Sequence, residues 1–429
     1  MSECRLDEIC NIYDCPHYTA ENEGKGYALI RTPNVGRGRL IMSDVHRVSF
    51  ENYKKRNARA TPECGDLIFA REAPAGNIAV IQNGEAVCLG QRTVLLKPNP
   101  KIVNAYYLAY NILTPWQQRR LLAPSAGSIV SHVNLKDIKA FTLTLPTIEQ
   151  QKIIAQVLCA LDDKIELNRR LNDNLEAMAQ ALYDYWFMQF DFPDENGKPY
   201  KTSGGRMVWN EMLKREIPEG WTCVTIQEMA DVIGGSTPYT QDPDNFSKVN
   251  GSGIPWITPK DLSKSTDFYI AKGEVSITEK GRKVASLTYL PPGSILFSSR
   301  APIGYVAIAA DYVTTNQEFK SLAPLESEST PYLFFLMKSM VSYFEQAAGI
   351  TTFKEVSGSQ VKAAKIVRPP VSVLQKFFEI TEPIMNRRKA TETEVKALTK
   401  HRDFLLPLLM NGQVQVRPQG VLNYRLIAD

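Results

Sequence analysis

Two short stretches set carboxylates beside a lysine, Asp162-Asp163-Lys164 and Glu394-Val395-Lys396. That is half of a metal-dependent nuclease site, in which carboxylates hold the ion and lysine steadies developing charge. Both stretches lie in segments of helical periodicity, where such charges more commonly form a solvated or salt-bridged face. Cys10, Cys15 and His17 stand close enough for zinc, but their spacing fits no zinc pattern and no fourth ligand is at hand. Beyond His17, the histidines are His46, His132 and His401. There is no Gly-x-x-x-x-Gly-Lys-Ser/Thr loop for a triphosphate, and no glycine-rich strand-turn-helix for a dinucleotide or S-adenosylmethionine. The expectation is a chain with no catalytic site, no metal and no cofactor of its own.

Recognition chemistry is better supplied. Arg31, Asn34, Arg37 and Arg39, then Lys54, Lys55, Arg56 and Arg59, are residues that contact phosphates and read guanine edges. Taken alone, a run such as Lys54 to Arg59 is more commonly just an exposed charged surface. Asn77, Gln91 and Arg92, with Asn316 and Gln317 further on, suit adenine and guanine edges and serve equally well in turns. Thr237, Lys260 and Arg300 join the candidates. Gly127-Ser128 before His132, and Gly349 before Thr351, Thr352 and Lys354, hold corresponding places in the two halves and predict corresponding loops with polar tips.

The elements that must position these residues repeat. Gly65-Asp66-Leu67-Ile68-Phe69 and Ala73-Pro74-Ala75-Gly76 match Gly293-Ser294-Ile295-Leu296-Phe297 and Ala301-Pro302-Ile303-Gly304, 228 residues on. Pro146 with Gln150, Gln151 and Lys152 answers Pro370 with Leu374, Gln375 and Lys376. The period is far longer than a solenoid repeat of roughly 20 to 50 residues, so this is a duplication. Each half reads as alternating strands with Gly/Pro turns, followed by a long helix.

The first helix is predicted over residues 148 to 187, beginning after Pro146. Its seam is Ile154, Leu158, Leu161 and Ile165, then Leu171, Leu175, Met178, Leu182 and Tyr185, with a register slip near Asn168. In the second half Phe377, Ile380, Ile384, Val395, Leu398, Leu405 and Leu409 keep a similar lattice, interrupted by Arg388, Thr391 and Arg402; Pro383 and Pro407 are places where it could bend. Residues 191 to 220 are polar and Gly/Pro-rich without a period, and read as a connector.

Composition bounds the rest. A chain of 429 residues exceeds one hydrophobic core, 44% hydrophobic and 22% charged residues describe a folded protein, and 50 basic against 46 acidic residues leave a net charge of only +4. Any basic face must be local. Seven cysteines without a Cys-x-x-Cys pair predict reduced thiols. No run of eighteen apolar residues occurs and the start, MSECRLDEIC, has no signal-peptide pattern, so a cytoplasmic location without membrane contact is expected.

Certain motifs are more specific. Tyr200-Lys201-Thr202-Ser203-Gly204-Gly205, Met207-Val208-Trp209-Asn210 and Ile217-Pro218-Glu219-Gly220-Trp221 precede the second reader, and a Pro-x-x-x-x-Gln start opens each helix. Gly234-Gly235-Ser236-Thr237-Pro238, Ile254-Pro255-Trp256-Ile257-Thr258-Pro259-Lys260-Asp261-Leu262, and the ending Phe404-Leu405-Leu406-Pro407-Leu408-Leu409-Met410-Asn411-Gly412 complete the set. Over nearly its whole length the chain resembles the specificity subunit of a type I restriction-modification system. The first reader departs from the pattern, because it lacks the Pro-x-Gly-Trp opening of Pro218 to Trp221.

The resemblance implies an α+β fold with a pseudo-twofold internal repeat, in which two target recognition domains are separated by two long antiparallel helices forming a coiled coil. The corresponding boundaries are residues 1–146 and 221–370 for the recognition domains and 147–190 and 371–413 for the helices. A connector at 191–220 and a tail at 414–429 complete the chain. It implies double-stranded DNA as ligand, read as a bipartite gapped target. Its partners would be methyltransferase subunits, two in number, and restriction subunits. S-adenosylmethionine, ATP and Mg would belong to those partners. No base-contacting residue carries over by motif. A related system with methyltransferase and nuclease in one partner chain, and a coiled-coil scaffold that binds no DNA, remain alternatives.

Overall fold

Leu67, Ile68, Phe69 and Ala70 are consecutive and all buried. Alternate side chains of a strand point to opposite faces, so an unbroken apolar run requires a strand covered on both sides. Leu67 and Phe69 enter one core with Leu108 and Ile112, while Ile68 and Ala70 enter another with Ile30 and Leu89. Each large side chain so buried contributes about 1.5–3 kcal/mol. In the second half Ile295 and Phe297 face one core and Leu296 the other.

The computed structural model describes residues 2–82, 84, 86–123, 131–248, 252–264, 266–300, 302–349, 354–416 and 422–424. The chain divides into two units, Met1–Glu166 with Lys396–Asp429, and Leu167–Val395.

The first unit holds β1 (Ser2–Arg5), β2 (Cys10–Asp14), β3 (Tyr27–Ile30), β4 (Gly38–Arg39), β5 (His46–Val48), β6 (Leu67–Ala70), β7 (Ile78–Val80), β8 (Val87–Leu89), β9 (Thr93–Pro98) and β10 (Thr142–Leu145). They form sheets ordered β2-β9-β6-β7-β4, β5-β3-β8 and β1-β10. The second unit opens on a hairpin, β11 (Met207–Asn210) and β12 (Arg215–Pro218). It continues with β13 (Thr222–Thr225), β14 (Ala230–Gly234), β15 (Ile254–Ile257), β16 (Tyr269–Ile270), β17 (Val275–Ile277), β18 (Ile295–Ser299), β19 (Ile303–Ala309), β20 (Thr314–Thr315), β21 (Lys320–Pro324) and β22 (Lys365–Arg368). Its sheets run β14-β21-β18-β19-β16, β17-β15-β20 and β13-β22.

Strand for strand, β1 to β10 map onto β13 to β22, including the parallel pairs β4 with β7 and β3 with β8, which return as β16 with β19 and β15 with β20. The turn glycines repeat as well. Gly76 and Gly304 both have positive φ, and a Cβ at Gly304 would stand 2.5 Å from the Val341 side chain.

The first long helix runs Ile148–Tyr183 and passes into a π-turn at Asp184–Met188; the second runs Val371–Met410, unbroken at Pro383 and Pro407. The buried positions of the first are Gln151, Ala155, Leu158, Asp162, Ile165, Asn168, Asn172, Leu175, Ala179 and Tyr183. This corrects the expected seam in two places. There is no slip at Asn168, because polar residues continue the lattice: Asn168 donates to Glu394 Oε2 at 2.8 Å, and the Thr391 hydroxyl donates to Asn172 Oδ1 at 2.5 Å. Met178 is 57% exposed and Ala179 takes the buried position, while Tyr185 and Ile380 are also exposed.

Within the second unit the helices run antiparallel, since Asn168 faces Glu394 whereas Glu176, further along, faces Arg388. In the first unit Asp162 meets Arg402 at 2.8 Å, and Leu158 packs with Leu406 and Leu409.

The shared Pro-x-x-x-x-Gln start has two fates. Gln151 is buried, accepts from the Asn104 amide and donates to the carbonyls of Ile102 and Pro146, whereas Gln375 lies on the surface near Glu379. The stretch read as a plain connector also differs from expectation. Besides the β11–β12 hairpin it carries Phe192, which packs on Tyr200 and Trp221, and Asp191, which accepts from the Thr202 amide and hydroxyl.

Candidate nucleic-acid interface

Three loops meet at one end of the first unit's large sheet. The amide of Arg71, just past β6, donates to the carbonyl of Arg92, and the Gly90 amide donates to Ile30. Glu72 forms an isolated bridge with His132. On this frame the Glu72 carboxylate takes His132 Nδ1 at 2.7 Å and the Arg92 guanidinium, while Arg71 holds His132 Nε2 at 3.1 Å and Asp14 at 3.3 Å. Gln91 donates to the carbonyl of His17.

The second unit rebuilds this frame with different residues. The Ser299 amide donates to the carbonyl of Glu318, the Asn316 amide to Ile257, and Arg300 bridges to Glu355. Arg300 therefore stands where Glu72 stands, Glu318 where Arg92 stands, and Glu355 where His132 stands. Arg300 lies 3.6 Å from Glu318 and 3.5 Å from Glu355, Lys320 lies 3.7 Å from Glu355, and Gln317, in the place of Gln91, meets Thr237. The Asn316 side chain donates to Glu318 at 2.9 Å.

Of the candidates read from sequence, this brings together Gln91, Arg92 and His132 in one unit and Thr237, Arg300, Asn316 and Gln317 in the other. Asn77 is turned to the carbonyl of Val35. Ser128, Thr351 and Thr352 lie outside the described residues, and Lys354 is exposed beside Glu355. Lys260 is exposed and pairs with Glu274 at 3.1 Å.

The arginine-rich segment divides. Asn34 is buried, accepts from the Arg31 amide and donates to Ile41, which makes it part of a turn. Arg56 is 3% exposed and donates to the carbonyls of Leu89 and Tyr18, so it is a structural strut. Arg39 reaches Asp163 at 2.5 Å, Arg37 donates to the Leu113 carbonyl, and Arg59 comes to 3.5 Å from the Asp14 carbonyl. Lys54 lies over Phe50 and Lys55 over Tyr18. The cluster residues that sequence reasoning missed are Glu72, Arg71 and Asp14 in the first unit and Glu318, Lys320 and Glu355 in the second. A signal existed for the first, because Glu72 and Arg300 directly precede the duplicated Ala-Pro motif.

The nuclease-like stretch is otherwise employed. Asp162 is 4% exposed and accepts from the Tyr110 hydroxyl and Arg402. Among the described residues no cluster of histidine, cysteine and carboxylates has metal-ligating geometry, and no helix is long and apolar enough to cross a membrane. Burial pushes the Cys10 thiol up to about 12.

Burial, together with the charges of Arg71 and Arg92, holds His132 below its ordinary value of 6.5. A neutral ring protonated at Nδ1 donates to Glu72 and accepts from Arg71 at Nε2. Because the folded value is depressed, this contribution is complete above the ordinary value and is lost as pH falls through the depressed one. An NMR titration of the His132 ring is expected to show a midpoint below 6.5. A midpoint above it would mean that Glu72 outweighs the two arginines.

The sequence model of the family described as Type I restriction modification DNA specificity domain matches residues 1–177 and 218–400. The chain is 40% identical over 183 residues to the Type I restriction enzyme MjaIX specificity subunit of Methanocaldococcus jannaschii, a match covering 41% of each. It is 24% identical over 403 residues to the HindI specificity subunit of Haemophilus influenzae, covering 82% of this chain and 86% of that one. The fold is similar to the crystal structure of a type I restriction-modification S subunit from M. genitalium, with TM-score 0.60, 14% identity and 95% of both chains covered. The chain belongs to the type I restriction-modification DNA specificity family. It is a specificity subunit, the non-catalytic component that recognises DNA within a complex with other subunits.

Proposed function

We propose that this chain reads a bipartite, gapped DNA target, one half with each unit, and positions methyltransferase and restriction subunits on it. The observation that carries this reading is the strand-for-strand duplication, which presents the same loops twice with different side chains. One scaffold with two chemistries suits two unlike half-sites, since base edges are read by specific donors and acceptors. The long helices are the spacer: 40 residues at 1.5 Å each reach about 60 Å, more than one turn of duplex DNA.

Adenine methylation with S-adenosylmethionine, and cleavage driven by ATP with Mg, belong to the partner chains, two methyltransferase subunits among them. Methylation requires the base to leave the stack, so this chain holds the DNA while the partner acts.

The test is to coexpress the chain with its methyltransferase partner and map methylated adenines. Exchanging residues 221–370 for the corresponding segment of another specificity subunit is expected to change one half of the motif only. A change in both halves, or in neither, would overturn the assignment of one half to each unit.

A further inference from the structure

We infer that the paired loop clusters are specificity determinants: Arg300 reads a guanine in the second unit's half-site, Arg92 reads one in the first unit's, and the reversed charges around them make the two half-sites differ. The inference rests on the proposed two-part reading and assigns residues to it.

The two clusters occupy one backbone frame, with the signs of the Glu72–Arg92 pair inverted at Arg300 and Glu318. In the first unit a central carboxylate, Glu72, is flanked by Arg92 and His132; in the second a central guanidinium, Arg300, is flanked by Glu318 and Glu355. If the clusters only tied loops together, close hydrogen bonds of about 2.7–2.9 Å would be expected in both. The first cluster meets that at Glu72, whose side chain is 14% exposed and takes His132 at 2.7 Å. It leaves the Arg92 side chain 65% exposed.

In the second cluster the contacts to Arg300 are 3.5 and 3.6 Å, long for hydrogen bonds, and its side chain is 35% exposed. Two carboxylates thus orient this guanidinium by charge while, among the described residues, its N–H donors stay unspent. An oriented, unspent guanidinium fits guanine O6 and N7, and Glu355, 42% exposed beside it, can accept from a cytosine amino group. Among the described residues the first cluster offers no such carboxylate, because the side chains of Glu72 and Asp14 are only 14% and 15% exposed. The second therefore addresses both edges of a G·C pair, and the first a guanine alone.

The test uses the full chain assembled with its methyltransferase partner, and competition binding by duplexes carrying every single base-pair change in both halves of the mapped site. The segment exchange described above shows which half belongs to which unit. Arg300→Gln is expected to flatten discrimination at one G·C pair of the second unit's half by roughly tenfold, leaving the other half and the gap unchanged. Arg92→Gln is expected to do the same at one position of the other half.

The triple change Arg300→Glu, Glu318→Arg and Glu355→His places the side-chain types of Glu72, Arg92 and His132 on the second frame, where Ser299 stands in the place of Arg71; it is expected to alter preference at the same position. Profiles unchanged at every position would overturn the inference. So would failure of Arg300→Gln to assemble with the methyltransferase, which would assign the cluster to folding. A wild-type complex that showed no sequence preference would instead overturn the two-part reading on which the inference rests.

Discussion

Replacing Arg388 by alanine is expected to destabilise the second unit by about 3–5 kcal/mol. The Arg388 side chain is 3% exposed and that of Glu392 2%; they pair at 2.9 Å on consecutive turns of the second long helix. The same guanidinium meets Glu176 at 3.1 Å, donates to the carbonyls of Asn172 and Thr266, and lies 3.8 Å from the centre of the Phe268 ring. Removing it leaves the Glu392 carboxyl, which burial already holds above its ordinary value, with the Phe268 and Tyr269 amides as its remaining hydrogen-bond partners among the described residues. A buried pair is costly to break from one side and much less costly to replace whole. Arg388→Met with Glu392→Leu should therefore recover a large part of the loss. Denaturation followed by tryptophan fluorescence measures this, since Trp186, Trp209, Trp221 and Trp256 all lie in the second unit and only Trp116 in the first. A loss below about 1 kcal/mol for Arg388→Ala would show that the pair is dispensable.

Lengthening both long helices by four residues, after Glu166 and after Val395, is expected to change the gap between the half-sites and leave both halves intact. The two points lie opposite in register, one step from the Asn168–Glu394 contact, so every side-chain pair within each unit keeps its partner. Four residues add about 6 Å, or one to two base pairs of duplex at about 3.4 Å each. Methylated-adenine mapping reads the result directly, and an unchanged gap would mean that the helices do not set the spacing. The same insertion after Glu166 alone puts the first unit's Asp162–Arg402 pairing out of step with the second unit's Asn168–Glu394 and Asn172–Thr391 pairings, so both sets cannot be kept. It is expected to lower stability.

Much of the architecture was legible. The duplication showed in Gly65 to Gly76 and Gly293 to Gly304 because turn glycines and doubly buried strands tolerate few alternatives. Helix existence showed in the three-four apolar spacing, and the start at Thr147 is capped by a reciprocal contact with Gln150. The seam was legible only in part. Apolar spacing placed Leu158, Ile165, Leu175 and Leu409 correctly, but it passed over Asp162, Asn168 and Asn172 and misplaced Met178.

The candidate interface was read with a similar mixture. Gln91, Arg92 and His132 come together within the first unit, and Arg300 and Gln317 within the second, whereas Asn34 and Arg56 are taken up inside the first unit. Nothing in a local run of basic residues distinguishes Arg56 from Lys55, because the carbonyls that bury Arg56 belong to Tyr18 and Leu89.

By itself, then, the sequence determined the duplication, the two helices and the family, since these rest on local periodicity, turn chemistry and motif. Tertiary structure alone decided which polar residues are buried and which carboxylates sit beside which arginines. Arg388 meets Asn172, and Arg402 meets Asp162, across more than 200 residues of chain. Whether a charge is solvated or buried depends on such distant neighbours, and a single strand or helix does not contain them.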